Sequence, residues 1–204
     1  PSKTEVMDQK FVITVGRQFG SGGRVIGRRL AEMLGITYYD KELMKEAARE
    51  SGLCSEFFDR ADERAPTTFM HALSMGFGYD GILSNENIFR FQSETIRRVA
   101  ERESCVIVGR CADYILRDHP LCFSVFVHAP TEVRVATVMQ RNGLPERQAA
   151  ELIAKTDKSR AAYYDFYTDK KWGDAASYHF SIDSSLLGME ETAGFIRMLV
   201  EKKL

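Results

Sequence analysis

Apolar positions along the chain follow two periods that alternate from end to end. The run Phe11-Val-Ile-Thr-Val15 is short, continuous and dominated by β-branched residues, the pattern of a strand buried on both faces of a parallel sheet. From Val25 the period becomes helical: Val25, Ile26, Leu30, Met33 and Leu34 share one face, and Gly35 supplies a stop. The same alternation predicts a strand over 36–39 and a helix over 41–50 ended by Gly52. A helix over 88–102, a strand over 105–108 and a helix over 112–117 follow. A strand over 122–127, a helix over 131–141 and a long charged helix over 145–164 come next, the last set off by Asn142-Gly143. A final strand over 179–182 and an amphipathic helix over 189–203 close the chain. Between 54 and 87 the patterning is mixed, with Gly76, Gly78 and Gly81 among scattered aromatics, which reads as an insertion forming one wall of a cleft.

Strands alternating with helices give a mostly parallel sheet covered on both faces. Composition fits that picture: 44% hydrophobic and 28% charged residues suit a globular chain, not a disordered one. Dividing 204 residues by roughly 150 per domain favours one α/β domain with an insertion over two domains. Lys+Arg 28 against Asp+Glu 29 supplies no general attraction for nucleic acid or an anionic membrane. Apolar runs such as 105–108 and 124–127 fall far short of the ~20 residues a spanning helix needs. Residues 1–10 are polar and show no signal-peptide pattern, and Cys54, Cys105, Cys111 and Cys122 lack both CxxC pairing and a disulfide-rich density. The expectation is a cytoplasmic protein with neither nucleic acid nor membrane as partner.

Ligands of such sheets bind beyond the carboxyl ends of the strands. The residues to read are therefore 16–24, Asp40, 109–113, 128–130 and 183–185. The first is Gly-Arg-Gln-Phe-Gly-Ser-Gly-Gly-Arg, a glycine-rich turn between a strand and a helix start. Glycines let consecutive N–H groups point inward, and the helix dipole adds positive potential, so the turn predicts a phosphate site. The spacing G-x-x-x-x-G-K-[ST] fails, however. With its second glycine on Gly22, Arg17 stands at the first glycine, Gly23 at the lysine and Arg24 at the hydroxyl position. Arg17 or Arg24 could supply the missing charge through a two-donor grip, and Mg²⁺ would need another ligand or hold through water and substrate oxygens.

A second template touches the same loop. Gly16, Gly20 and Gly22 give a G-x-x-x-G-x-G spacing that resembles the short-chain dehydrogenases, Asp40 stands where a dinucleotide-binding protein grips ribose, and Tyr167 and Lys171 form a Tyr-x-x-x-Lys pair. Neither an Asn-Ala-Gly segment nor a suitably placed serine accompanies them, and the charged helix after Pro145 has no place in that scheme. An NAD(P)-dependent reductase is therefore the lesser alternative.

Several segments together resemble the cytidylate kinase-like family: FVITVGRQFGSGGRVIGRRLAEMLG over 11–35, ITYYDKEL over 36–43, CVIVGRCADYIL over 105–116, and the tail KSRAAYY…WGD…FSID. The resemblance implies a P-loop kinase-type three-layer α/β fold with a five-stranded, mostly parallel sheet, a helical acceptor-binding insertion over about 54–87 and a lid over about 142–164. The remainder (11–53 and 88–204) is the core of one domain over 1–204. It implies ATP with Mg²⁺ as donor and a nucleoside monophosphate as acceptor. By matching position, Gly20, Ser21, Gly22, Gly23 and Arg24 cradle the donor phosphates, with Arg17 beside them. Arg110 meets the acceptor phosphate, and the aspartate of the family's Gly-Arg-Asp is Cys111 here, with Asp113 as its stand-in. Asp157 and Arg160 match the lid's Asp-x-x-Arg, Arg134 and Arg141 flank the lid entrance, and Asp183 lies where the family places the adenine pocket.

Plainer readings stand beside these. Arg134 and Arg141 suit a solvated helix stripe, Asp157 and Arg160 a surface ion pair at i,i+3, Asp40 a cap of the following helix, and Asp183 a turn. His71, His119, His128 and His179 have no metal spacing. The tyrosines near the lid and Trp172 read as packing, and the cysteines as small buried apolar residues, although Cys111 beside Arg110 could have a lowered pKa. The expected function is phosphoryl transfer from ATP to a CMP-like acceptor, with Arg24, Arg110 and Arg160 as catalytic residues and Asp40, Arg110, Asp113 and Asp157 at the substrate. A nucleotide-binding sensor without catalysis is the other alternative, because the loop lacks its lysine and hydroxyl.

Overall fold

The computed structural model describes residues 10–50 and 85–204. Its five strands are β1 (Val12–Arg17), β2 (Thr37–Tyr39), β3 (Cys105–Val108), β4 (Cys122–His128) and β5 (Phe180–Asp183), hydrogen-bonded in the order β2-β3-β1-β4-β5. Every pairing is parallel. The helices are α1 (Gly23–Leu34), α2 (Lys41–Glu50), α3 (Asn85–Arg102), α4 (Ala112–Ile115), α5 (Thr131–Asn142), α6 (Glu146–Tyr167) and α7 (Gly188–Glu201).

Alternation along the central strands sends side chains into two separate cores. Ile13 and Val15, Val106 and Val108, and Val125 and Val127 face α1 and α7, where Ile26, Leu30, Ala193, Ile196 and Val200 are fully or nearly fully buried. Val12, Cys105, Ile107 and Phe126 face the opposite layer, built from Met44 and Ala47 of α2, Ile96 and Val99 of α3, Ile115 of α4 and Tyr164 of α6. Burying each large aliphatic side chain contributes about 1.5–3 kcal/mol, so the three layers need no covalent staple. A smaller cluster joins α5 to α6 through Val135, Val138, Ala149 and Ile153, and Phe19 of the glycine-rich turn packs against it.

Several boundaries differ from the sequence expectation. β1 runs on to Arg17, because Gly16 and Arg17 still pair with Phe126 and Val127 of β4. β4 reaches His128 and β5 spans Phe180–Asp183, so the last strand is displaced by one residue. The His179 imidazole is instead engaged at Ser124, whose N–H it accepts at 3.0 Å. Helix α4 stops at Ile115, and α6 continues to Tyr167. The expected insertion lies outside the described residues up to 84, and its last positions belong to α3. Inserting β3 between β1 and β2 also rules out the dinucleotide-binding strand order, in which those two strands are neighbours. Among the described residues no helix is long and apolar enough to cross a membrane.

Candidate active site

The carboxyl ends of β1 and β3 lie side by side, and the residues that follow them form the site. After Arg17 the chain turns through Gly20 and Gly22, at φ 83° and 79°, before α1 begins at Gly23. Gly20 is required twice over: its φ is left-handed, and an added Cβ would stand 2.9 Å from the Arg134 carbonyl oxygen. Ser21 is buried with its hydroxyl turned inward, 2.9 Å from the Gln18 carbonyl and 3.1 Å from that of Val127. That side chain fixes the turn to β4 and is spent.

Helix α6 is clasped to this turn. Asp157 Oδ1 accepts the Phe19 N–H at 2.7 Å, and its Oδ2 accepts from Arg134 Nη1 at 2.6 Å. One turn on, Arg160 Nη1 donates to the Arg17 carbonyl at 3.0 Å. The Arg141 and Arg160 guanidiniums both lie over the Phe19 ring, 4.8 and 5.4 Å from its centroid. Arg134 is 7% exposed and donates through Nε to the Ala129 carbonyl, so it is no solvated stripe. Asp157 bonds Arg134 and Phe19, where i,i+3 spacing suggests a pair with Arg160.

On the other side, β3 ends in a strained turn. Gly109, Arg110 and Cys111 all have positive φ, at 81°, 62° and 53°. Two consecutive non-glycine residues in the left-handed region cost about 1–3 kcal/mol each, a concentration of strain typical of functional sites. Arg110 Nη1 donates to Gln92 Oε1 of α3 at 3.3 Å, and the Tyr163 hydroxyl of α6 donates to the same oxygen at 3.3 Å. Lys41, Lys45, Phe91 and Gln92 line a pocket with Arg110 between α2 and α3. Burial, then Arg110, then Lys45 pull the Lys41 pKa down.

Three guanidiniums meet between these two sides. Burial, followed by the proximity of Arg160 and Arg110, brings the Arg17 pKa down to about 9. Among the described residues no carboxylate pairs with Arg17. Arg24 points elsewhere: its side chain is 63% exposed, and Nε and Nη2 both reach Asp40 Oδ2, at 3.0 and 2.5 Å. Asp40 also caps α2, with Oδ1 accepting from the Glu42 and Leu43 amides. Burial alone raises its pKa, but Arg24 and these amides outweigh that and hold it below the ordinary value.

Other expected residues are occupied away from this point. Asp113 is turned inward, accepting the Tyr164 hydroxyl at 2.6 Å, and burial raises its pKa. The Cys111 thiol is buried and pushed up to about 12 by that burial and by Asp113, which corrects the expectation of a lowered pKa. Asp183 holds the Ser185 amide and hydroxyl at 2.8 and 2.7 Å, as a turn residue does. Tyr167 stacks on Phe89 of α3, with centroids 4.2 Å apart. Gln92, Tyr163 and the Phe19 amide carried no sequence signal, because a carboxamide on a helix and a backbone N–H belong to no spacing rule.

Residues 12–186 match the cytidylate kinase-like family. The chain belongs to that family. It is 29% identical over 177 residues to the cytidylate kinase of Aeropyrum pernix, covering 85% of this chain and 89% of that one. With the cytidylate kinase of Methanopyrus kandleri it shares 26% identity over 202 residues, 95% and 94% of the two chains. Among solved structures, an uncharacterized protein from Eubacterium ventriosum superposes with a TM-score of 0.73 at 30% identity, over 94% and 99% of the chains. A gluconokinase from Sinorhizobium meliloti, at TM-score 0.54 and 17% identity over 94% of both chains, shares the P-loop kinase fold.

For a cytidylate kinase-like protein, the donor set for a metal is sparse. Among the described residues no three His, Cys, Asp or Glu side chains come together, Ser21 and Asp113 face inward, and Asp40 is held by Arg24. These residues do not fit a protein-held Mg²⁺. The glycine turn with its cations fits a polyphosphate.

Proposed function

We propose that this cytidylate kinase-like protein transfers the γ-phosphoryl group of ATP to a nucleoside monophosphate of the CMP type or a related small acceptor. One observation carries the reading: Arg110 of the strained β3 turn and Arg160 of α6 lie close enough to Arg17 of the glycine turn to lower its pKa, and none of the three is ion-paired with a carboxylate among the described residues. Such a cluster costs stability when empty and becomes favourable around phosphate oxygens.

In this reading the turn from Gly20 to Gly23 receives the donor phosphates, Arg110 the acceptor phosphate, and Arg160 the charge on the group in transit. Mg²⁺ arrives with ATP as part of the substrate, held by phosphate oxygens and water. The acceptor's phosphate oxygen is already a nucleophile, so no strong general base is needed. Asp40, Asp113, Asp157 and Asp183 support the site through Arg24, Tyr164, Phe19 and Ser185, and Arg24 reaches a donor only by leaving Asp40. Residues 142–164 are the lid that closes on both substrates, within one cytoplasmic domain, and the acceptor-binding insertion expected at 54–87 lies outside the described residues up to 84.

The test is incubation with ATP–Mg²⁺ and, separately, CMP, dCMP, UMP, AMP and GMP, with products identified by mass. A diphosphate product from one acceptor supports the reading and names the substrate. ATP binding with no product from any acceptor favours the sensor.

A further inference from the structure

The spacing G-x-x-x-x-G-K-[ST] puts a lysine at the position where this chain has Gly23, and the structure shows what fills that space. A Cβ added at Gly23 would stand 2.5 Å from Arg17 Cβ, 3.1 Å from Arg17 Cγ and 3.3 Å from Val127 Cβ. The Arg17 stem therefore occupies the volume into which a side chain at position 23 would grow, and the two are mutually exclusive. At its far end Arg17 lies across Gly109, where an added Cβ would come 2.3 Å from Nη1 and 3.1 Å from Cζ. Two glycines from different parts of the chain thus clear a path for one side chain. It runs from the end of β1, past the start of α1, to the strained turn that carries Arg110.

We propose that Arg17 replaces the missing loop lysine, reaching from the end of β1 to bridge the donor's β,γ-phosphates and the acceptor phosphate. This rests on the phosphotransferase reading and deepens it. In the reaction an acceptor oxygen bonds to the γ-phosphorus as the bond to the β,γ-bridging oxygen breaks, leaving that electron pair on ADP. The charge stays on oxygens throughout, so a fixed cation that touches both partners lowers the barrier without exchanging a proton. Arginine suits the place better than lysine because its planar fork can hold oxygens of two groups at once. Mounting it on the strand, three residues before Gly20, leaves the α1 N-terminus free to approach the phosphates through its backbone alone.

The experiment compares the full-length protein with Arg17→Ala, Arg17→Lys, Gly109→Ala and the reciprocal double variant Arg17→Gly with Gly23→Lys. Each is checked for an unchanged circular dichroism spectrum. ATP and adenosine affinities are measured by calorimetry, and turnover with whichever acceptor gives product. Arg17→Ala is expected to lower kcat on the order of 10²–10³-fold and to weaken ATP but not adenosine, which carries no phosphate. The reciprocal variant is expected to recover at least about tenfold of that loss, by returning the cation to its usual place. Gly109→Ala, which displaces the guanidinium, should move in the same direction as Arg17→Ala. Turnover and ATP affinity of Arg17→Ala both within about threefold of wild type would overturn the assignment while leaving the kinase reading intact. If the wild-type protein turns over no acceptor, that reading fails instead, and Arg17 is judged on ATP affinity alone: a loss for ATP with none for adenosine supports it, and an ATP affinity equal to wild type overturns it.

Discussion

The Phe19 amide donates to Asp157 at 2.7 Å across 138 residues of chain, and the same carboxylate holds Arg134. The backbone of the glycine-rich turn is thus tied to α6 through an ion pair whose side chains are only 16% and 9% exposed. Removing one member of a largely buried pair strands the other, so Asp157→Ala is expected to lower the unfolding free energy by about 3 kcal/mol. Asp157→Asn keeps an acceptor for Phe19 and should cost less. Urea unfolding of both variants is the check, and an Asp157→Ala loss below about 1 kcal/mol would mean that water replaces the pair.

Among the described residues Arg160 bonds only a backbone carbonyl and lies over an aromatic ring. Its removal should therefore spare the fold. Arg160→Ala is expected to reduce kcat on the order of 10³-fold with an unfolding midpoint close to wild type. Equal losses in stability and turnover would assign it to the clasp instead.

The left-handed Arg110 has a signature separable from its charge. Arg110→Ala and Arg110→Gly both delete the guanidinium and should both raise the acceptor KM. The glycine variant should nevertheless be more stable than the alanine variant by about 1 kcal/mol, since only glycine takes φ 62° without strain. Thermal unfolding of the pair decides it, and no difference would mean that the turn relaxes once the arginine is gone.

Asp113 gives a pH dependence with a definite sign. Burial raises its pKa above the ordinary 3.8, so the folded state binds its proton more tightly than the unfolded chain does. Stability from this group is present at low pH and is lost as pH rises from 3.8 through the raised folded value. Asp113→Asn still accepts from Tyr164 but carries no charge. It should unfold at a higher temperature than wild type at pH 7, with the advantage shrinking toward pH 4. A lower Tm at pH 7 would show that the ionised carboxylate, helped by Lys170, is net stabilising.

The layers were legible because the apolar runs at 12–15, 105–108 and 122–127 are too short for helices and too continuous for one-sided strands. The glycine turn was legible for a similar local reason. What spacing could not give was partnership. Asp157 stands three residues from Arg160, yet bonds a backbone amide and an arginine on another helix, because the sheet brings Phe19 and α5 to it. Asp113 sits one position past Cys111 and Ala112 at the ligand edge, yet the short α4 turns it inward onto Tyr164. The sequence equally left Arg17 and Arg24 as rival cations. Only the pairing of β2 beside β3, which carries Asp40 toward Arg24, separates them.

Strand β1 is hydrogen-bonded on both sides, to β3 through Val15 and to β4 as far as Arg17 itself. In hydrogen-exchange terms its amides belong to the last-opening part of the molecule, whereas the clasp on α6 consists of a few side-chain contacts that local opening can release. The two halves of the site should therefore fail at different denaturant concentrations. Mild urea would loosen Asp157 and Arg160 from the turn while Arg17 stays where the sheet holds it, so activity would vanish well before the sheet melts.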